Sequence, residues 1–235
     1  MVRCARVQCA TTARGIAIDS NGAREREATR GPMGKSRLEA FSDGVIAVII
    51  TVIVLEFKTP AGADAAGLLG LLPQFISYVL SFVYVAIYWN NHHHMLQTVA
   101  RVNGAMLWAN LHLLFWLSLV PFATAWMAEH EFASWPTLLY GVILLCAAIA
   151  YTVLQHTVIT LHGRQSLLAT AVGTDAKGKV SILLYAIAIA TACWQPILSI
   201  AIYALVACVW LVPDRRIENK MAASPGAGTG GGNES

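Results

Sequence analysis

The chain has 235 residues, of which 57% are hydrophobic and only 12% charged; soluble domains carry roughly 25% charged residues. So little charge cannot clothe a water-facing surface of this size, which excludes an ordinary soluble domain and leaves a chain covered largely by lipid. The formal net charge of +3 and the five cysteines add little, because the cysteines show neither a disulfide framework nor paired metal-ligand spacing.

Residues 1–34 are rich in arginine and lack the 7–15-residue apolar core that a secretory signal needs. They read as a disordered basic cytoplasmic arm, with Met33 an alternative start to Met1. A membrane domain is expected over 35–213, and a flexible cytoplasmic tail of Gly, Ala, Ser and Asn over 214–235.

Within 35–213 the apolar runs place membrane spans near 41–57, 68–89, 104–127, 135–161, 179–194 and 196–212. The first span opens on Phe41, Ser42 and Asp43, an acid inside an otherwise apolar helix. Ionisable groups in spans usually face protein or a water-filled cavity. A local reading also stands: Ser42 and Asp43 cap a helix N-terminus there. Val48, Thr51, Val52 and Leu55 share one helical face by their i, i+3, i+4, i+7 spacing. An arbitrary stripe of that kind packs on other helices. The second span ends on Trp89 and on His92, His93 and His94. Consecutive helical residues point about 100° apart, so these rings do not converge on one metal ion. A polar network of Arg37, Phe41, Ser42, Asp43, Trp89, His92, His93 and Asn110 is expected instead, in which Arg37 and Asp43 meet Trp89, His92 or His93, and Asn110. For His112 and His156, inside later spans, a helix-packing hydrogen bond is expected. The last two spans are separated by Gln195 and Pro196. As one helix this stretch would be roughly 50 Å long at 1.5 Å per residue, too long for a core of roughly 30 Å, so a hairpin of two short helices is expected.

Lysine and arginine set the orientation. Six spans put every one of the 16 basic residues except Lys58 on one side. The positive-inside rule then makes that side cytoplasmic, with both termini there. The opposite loops carry Glu56, Asp64, Glu129 and Glu131, a field that would concentrate cations at an entrance.

Several elements together resemble the bacterial branch of the transmembrane protein 175 potassium channel family. They are Arg37-x-x-x-Phe41-Ser42-Asp43-Gly44 with the run through Thr51 to Leu55-Glu56, then Pro73-Gln74-Phe75, Ser77-Tyr78, Ser81-Phe82, Trp89-x-x-His92-His93, Asn110 and Pro121-Phe122. The resemblance implies an all-α, six-helix subunit, four of which assemble around a pore lined by their first helices in a bacterial inner membrane. It implies apolar constriction rings at Val48, Val52 and Leu55 and a hydroxyl layer at Thr51. Where family members often carry Ile or Leu at the innermost ring, this chain has Val48. The implied partners are potassium ions, the lipid bilayer and further copies of the chain, with no nucleic acid, cofactor or resident metal. No Thr-Val-Gly-Tyr-Gly filter loop is present in the sequence. Two other functions fit parts of the pattern: a proton-coupled secondary transporter using Asp43 and His92–His94, and a membrane enzyme using the histidines with a metal. Against the enzyme stands the lack of a nucleophile–base pair.

Overall fold

The computed structural model describes residues 34–60, 62–163, 166–172 and 175–211. The basic arm and the Gly-rich tail expected from sequence lie outside them. The described residues are all-α: α1 Lys35–Leu55, α2 Ala65–Leu69, α3 Leu72–Gln97, α4 Gly104–Ser118, α5 Val120–Glu129, α6 Ser134–His162, α7 Leu167–Val172, α8 Ala176–Ala192 and α9 Pro196–Leu211. Among the described residues, four stretches are long and apolar enough to cross a membrane: α1, α3, α4 taken with α5, and α6. The chain is an integral membrane protein.

Two boundaries differ from those read in the sequence. The first helix starts two turns before Phe41, at Lys35. Lys, Arg, Leu, Glu and Ala over residues 35–40 are good helix formers, Leu38 is buried, and Lys35 stands 3.9 Å from Glu39 at i, i+4. Ser42 and Asp43 therefore lie inside the helix, and the capping role considered for them is ruled out. The third span is not one helix but two, meeting at Leu119. Pro121 has no N–H to give to the carbonyl of Leu117, and its ring crowds that carbonyl.

α8 and α9 have 17 and 16 residues and form the expected hairpin. Ser199 Oγ lies 3.0 Å from Thr191 Oγ1 and donates to the Ala188 carbonyl at 2.7 Å. At the far end of the pair, Trp210 Nε1 donates to Ser181 Oγ at 2.7 Å. Near residues bond to near and distant to distant, which only an antiparallel pair allows.

The interior is held by hydroxyls as well as by apolar contact. Ser81 Oγ lies 2.6 Å from Thr124 Oγ1 and 3.0 Å from Tyr140 Oη. Tyr84 Oη donates to the Tyr203 carbonyl at 2.6 Å, and Tyr203 Oη to the Thr137 carbonyl at 3.2 Å. These bonds tie α3, α5, α6 and α9 together inside the bundle, where an unpaired hydroxyl would be costly. Among the described residues α1 packs mainly against α3, α4 and α5, and much of its surface is left uncovered.

Candidate functional site: the first helix and its anchor

The two faces of α1 differ sharply. Leu38, Ser42, Ile46, Ile49 and Ile53 are buried against the bundle. Arg37, Phe41, Gly44, Val48, Thr51 and Leu55 form an exposed stripe on the other side. Val48 is 59% and Leu55 77% exposed, whereas Ile49 is 4% exposed. Val52 falls between the two faces and is half-buried. Three and four residues along a helix return to the same side, so the stripe follows from the sequence period. What the period alone does not say is which side the bundle covers.

Thr51 Oγ1 donates its proton to the Val48 carbonyl at 2.8 Å. A hydroxyl has one proton and two lone pairs. With the proton turned back along the helix, the lone pairs are left toward the exposed side. That is the arrangement a hydroxyl needs to meet a cation.

At the end of α1 that carries Lys35, polar bonds fix the helix to its neighbours. Asn110 of α4, fully buried, donates from Nδ2 to Ser42 Oγ at 2.9 Å. Its Oδ1 lies 2.7 Å from Nε2 of His92 on α3. With the amide so turned, His92 donates from Nε2, and its buried Nδ1 has no hydrogen-bond partner among the described residues. Asp43 Oδ1 accepts from the indole Nε1 of Trp89 at 3.0 Å. The Trp89 ring stacks on His93 with centroids 5.7 Å apart, and His93 Nε2 accepts from Gln97 Nε2 at 2.9 Å. Lys35 Nζ donates to the Gln97 carbonyl at 3.2 Å.

Six of the eight residues expected in this network are thus brought together: Ser42, Asp43, Trp89, His92, His93 and Asn110. Arg37 and Phe41 are not. Both lie on the exposed stripe with Val48 and Leu55, because they are about one and two turns from Gly44 on that face. The three consecutive histidines diverge, one toward Asn110 and one toward Trp89 and Gln97. His112 and His156 do not make the expected bonds between helices. His112 accepts from Trp116 of its own helix at 3.0 Å, and His156 is exposed.

Sequence reading passed over His162. It ends α6, and its Nε2 accepts from the backbone N–H groups of Ala100 at 3.1 Å and Arg101 at 3.4 Å. No spacing signals this, since the partners are about sixty residues apart. At the opposite end of the bundle, Lys58 pairs with Glu129 at 2.6 Å, linking the segment after α1 to the end of α5. A small crevice there is lined by Ile53, Glu56, Gln74, Tyr78, Thr124 and Glu129, among others.

A family profile described as the endosomal/lysosomal potassium channel TMEM175 matches residues 37–121, the segment holding α1, its anchor and the α4–α5 break. A potassium channel of Chryseobacterium sp. (strain P1-3) is 52% identical over 189 residues, 80% of this chain and 98% of that protein. A potassium channel of Streptomyces collinus is 36% identical over 54% of this chain and 66% of its own. Among solved structures, the lysosomal potassium-selective channel TMEM175 homolog from Chamaesiphon minutus superposes with a TM-score of 0.68 at 30% identity, covering 77% of this chain and 97% of that one. The anchored first helix, the all-α membrane fold and these relatives lead to one conclusion: this chain belongs to the TMEM175 family, on its bacterial branch, and is a cation channel rather than an enzyme.

Proposed function

We propose that four copies of the chain assemble around an axis lined by α1, forming a potassium-preferring pore whose narrow layers are rings of Val48, Val52 and Leu55. The observation that carries this reading is the two-faced α1. One face is packed and pinned by Ser42 and Asp43, and the other exposes Val48, Thr51 and Leu55 along the full length of the helix. A single α1 cannot enclose a pore, and the names of the bacterial relatives assign potassium conduction to those proteins. In this reading α8 and α9 complete six crossings, and the basic ends face the cytoplasm across a bacterial inner membrane.

Selection in such a pore comes from radius, from the cost of stripping water from the ion, and from the Thr51 lone pairs. Rings of apolar side chains also gate by dewetting. Val48, smaller than Ile or Leu, makes the innermost ring wider. Against the transporter reading, Asp43 is engaged by Trp89, and His92 is buried against Asn110.

The test is single-channel recording of the purified protein in bilayers with potassium on one side and sodium on the other. Unitary steps with a reversal potential on the potassium side are expected. Flux that requires a co-transported proton, with no unitary steps, would sink the channel reading.

A further inference from the structure

We propose that His162 is a proton-sensitive latch that positions the base of α1 through the loop between α3 and α4. The inference rests on the channel reading above and adds to it a way for the aqueous phase at the Lys35 end to reach the pore helix.

The latch is defined by which nitrogen does what. His162 Nδ1 lies 3.0 Å from the Val158 carbonyl, which can only accept, so Nδ1 carries a proton and donates. Nε2 then holds the ring's lone pair in the neutral form, and it is this lone pair that takes the two amides of Ala100 and Arg101. Both ring nitrogens are committed, and only one charge state satisfies them. A proton added to Nε2 would set an N–H against two N–H groups, leaving both amides without their acceptor.

The loop so held touches α1 directly. A Cβ built on Gly34, the residue before α1, would stand 2.9 Å from Val102 Cβ, so loop and helix start are in close contact. Lys35 Nζ bonds the Gln97 carbonyl, at the point where α3 enters the loop. At its other end, Asn103 caps α4 by accepting from the Met106 amide at 2.9 Å, seven residues before Asn110. The loop therefore joins the two helices whose His92 and Asn110 hold Ser42, and it abuts the helix they hold.

His162 is only partly buried, and Ala100 and Arg101 are exposed, so protons have access. Among the described residues, the titratable and charged groups at this end are Arg101 on the loop, Lys35, Arg37, Glu39 and Asp43 on the first turns of α1, His92, His93 and His94 on α3, His156 on α6, and Asp175, Lys177 and Lys179 at the start of α8. Among the described residues no carboxylate forms an ion pair with His162, and Arg101 is a like charge to an imidazolium. A proton gained at Nε2 therefore opens the latch, and its loss closes it.

The experiment uses the full chain in proteoliposomes, with pH set independently on the two sides and with amide hydrogen exchange on the same samples. From about pH 7.5 to about pH 5, protection of the Ala100 and Arg101 amides, corrected for intrinsic exchange, should fall roughly tenfold, the equivalent of one to two lost hydrogen bonds. Current should fall with acid applied at the Lys35 end and not with acid at the other. His162→Gln offers a carbonyl oxygen that accepts at any pH, so it should keep the neutral-pH current and flatten both profiles. His162→Ala should show low protection throughout. Protection unchanged by pH in the wild type would overturn the latch. Protection lost while current holds would overturn its coupling to α1. A His162→Gln profile that matches the wild type would assign the pH response to another group. In each of these cases potassium conduction at neutral pH would still stand, whereas a failure of the channel reading would show as no conduction at any pH.

Discussion

Asn110 has no exposed surface and uses both halves of its amide, Nδ2 on Ser42 and Oδ1 on His92. Removing it leaves a buried hydroxyl and a buried ring N–H without partners, each at a cost of about 1–3 kcal/mol. Asp43 makes one bond, to an indole that is itself partly exposed. Asn110→Ala should therefore lower the thermal midpoint of the detergent-solubilised protein most, Asp43→Ala less, and Asp43→Asn least, because asparagine keeps an oxygen for Trp89. If Asp43→Asn proved as damaging as Asn110→Ala, the charge and not the hydrogen bond would be what α1 needs. The composition of this anchor was legible from the sequence: an acid and an asparagine in apolar helices have to be paired. Its wiring was not. Ser42 passed as a cap because the helix start was placed too late, and His162 carried no local signal at all.

At the scale of the elements, the helices announced themselves by apolar runs, and the run itself hid their details. Residues 35–40 are charged enough to fall outside a hydropathy window, yet they continue α1, because helix propensity and the Lys35–Glu39 pair do not depend on lipid. Pro121 broke the third span at a point where the apolar run continues unbroken on both sides. The Gln195–Pro196 break was read correctly, since length there forbade a single helix. Close approach between elements gives a second prediction. A Cβ on Gly141 of α6 would overlap the Tyr203 hydroxyl of α9 and stand 3.0 Å from Ile189 Cγ1 of α8. Both neighbours are packed, and Tyr203 is fully buried. Overpacking of this kind costs typically about 1–3 kcal/mol. Gly141→Ala should reduce the yield of folded protein and its thermal midpoint, and Gly141→Ala with Tyr203→Leu should be less destabilised than the sum of the two single changes. Strict additivity in that cycle would mean that the two helices do not meet at this point.

For the whole molecule, the decisive question is what covers the exposed face of α1. Lipid would be satisfied by any apolar stripe, and the family resemblance, not the period, points to a pore. The two alternatives respond differently to polarity. On a lipid face, an asparagine at Val48 would cost insertion energy and leave conduction alone. On a pore face, four-fold repetition turns it into a ring of amides that admits water to the constriction. Val48→Asn and Leu55→Asn should therefore raise unitary conductance and move the reversal potential under opposed potassium and sodium gradients toward zero. Val52→Asn, half-buried on the shoulder of the stripe, should do so more weakly and also loosen contact between subunits. Ile49→Asn places an amide among α1's packed neighbours, and it should reduce folded protein without changing the selectivity of the channels that remain. Cross-linking in mild detergent should give a four-subunit band for the wild type and for the Val48 and Leu55 variants. A reversal potential shifted by Ile49→Asn but unmoved by Val48→Asn and Leu55→Asn would mean that the packed face and the pore face have been exchanged, and that ions pass on the side of α1 now assigned to the bundle.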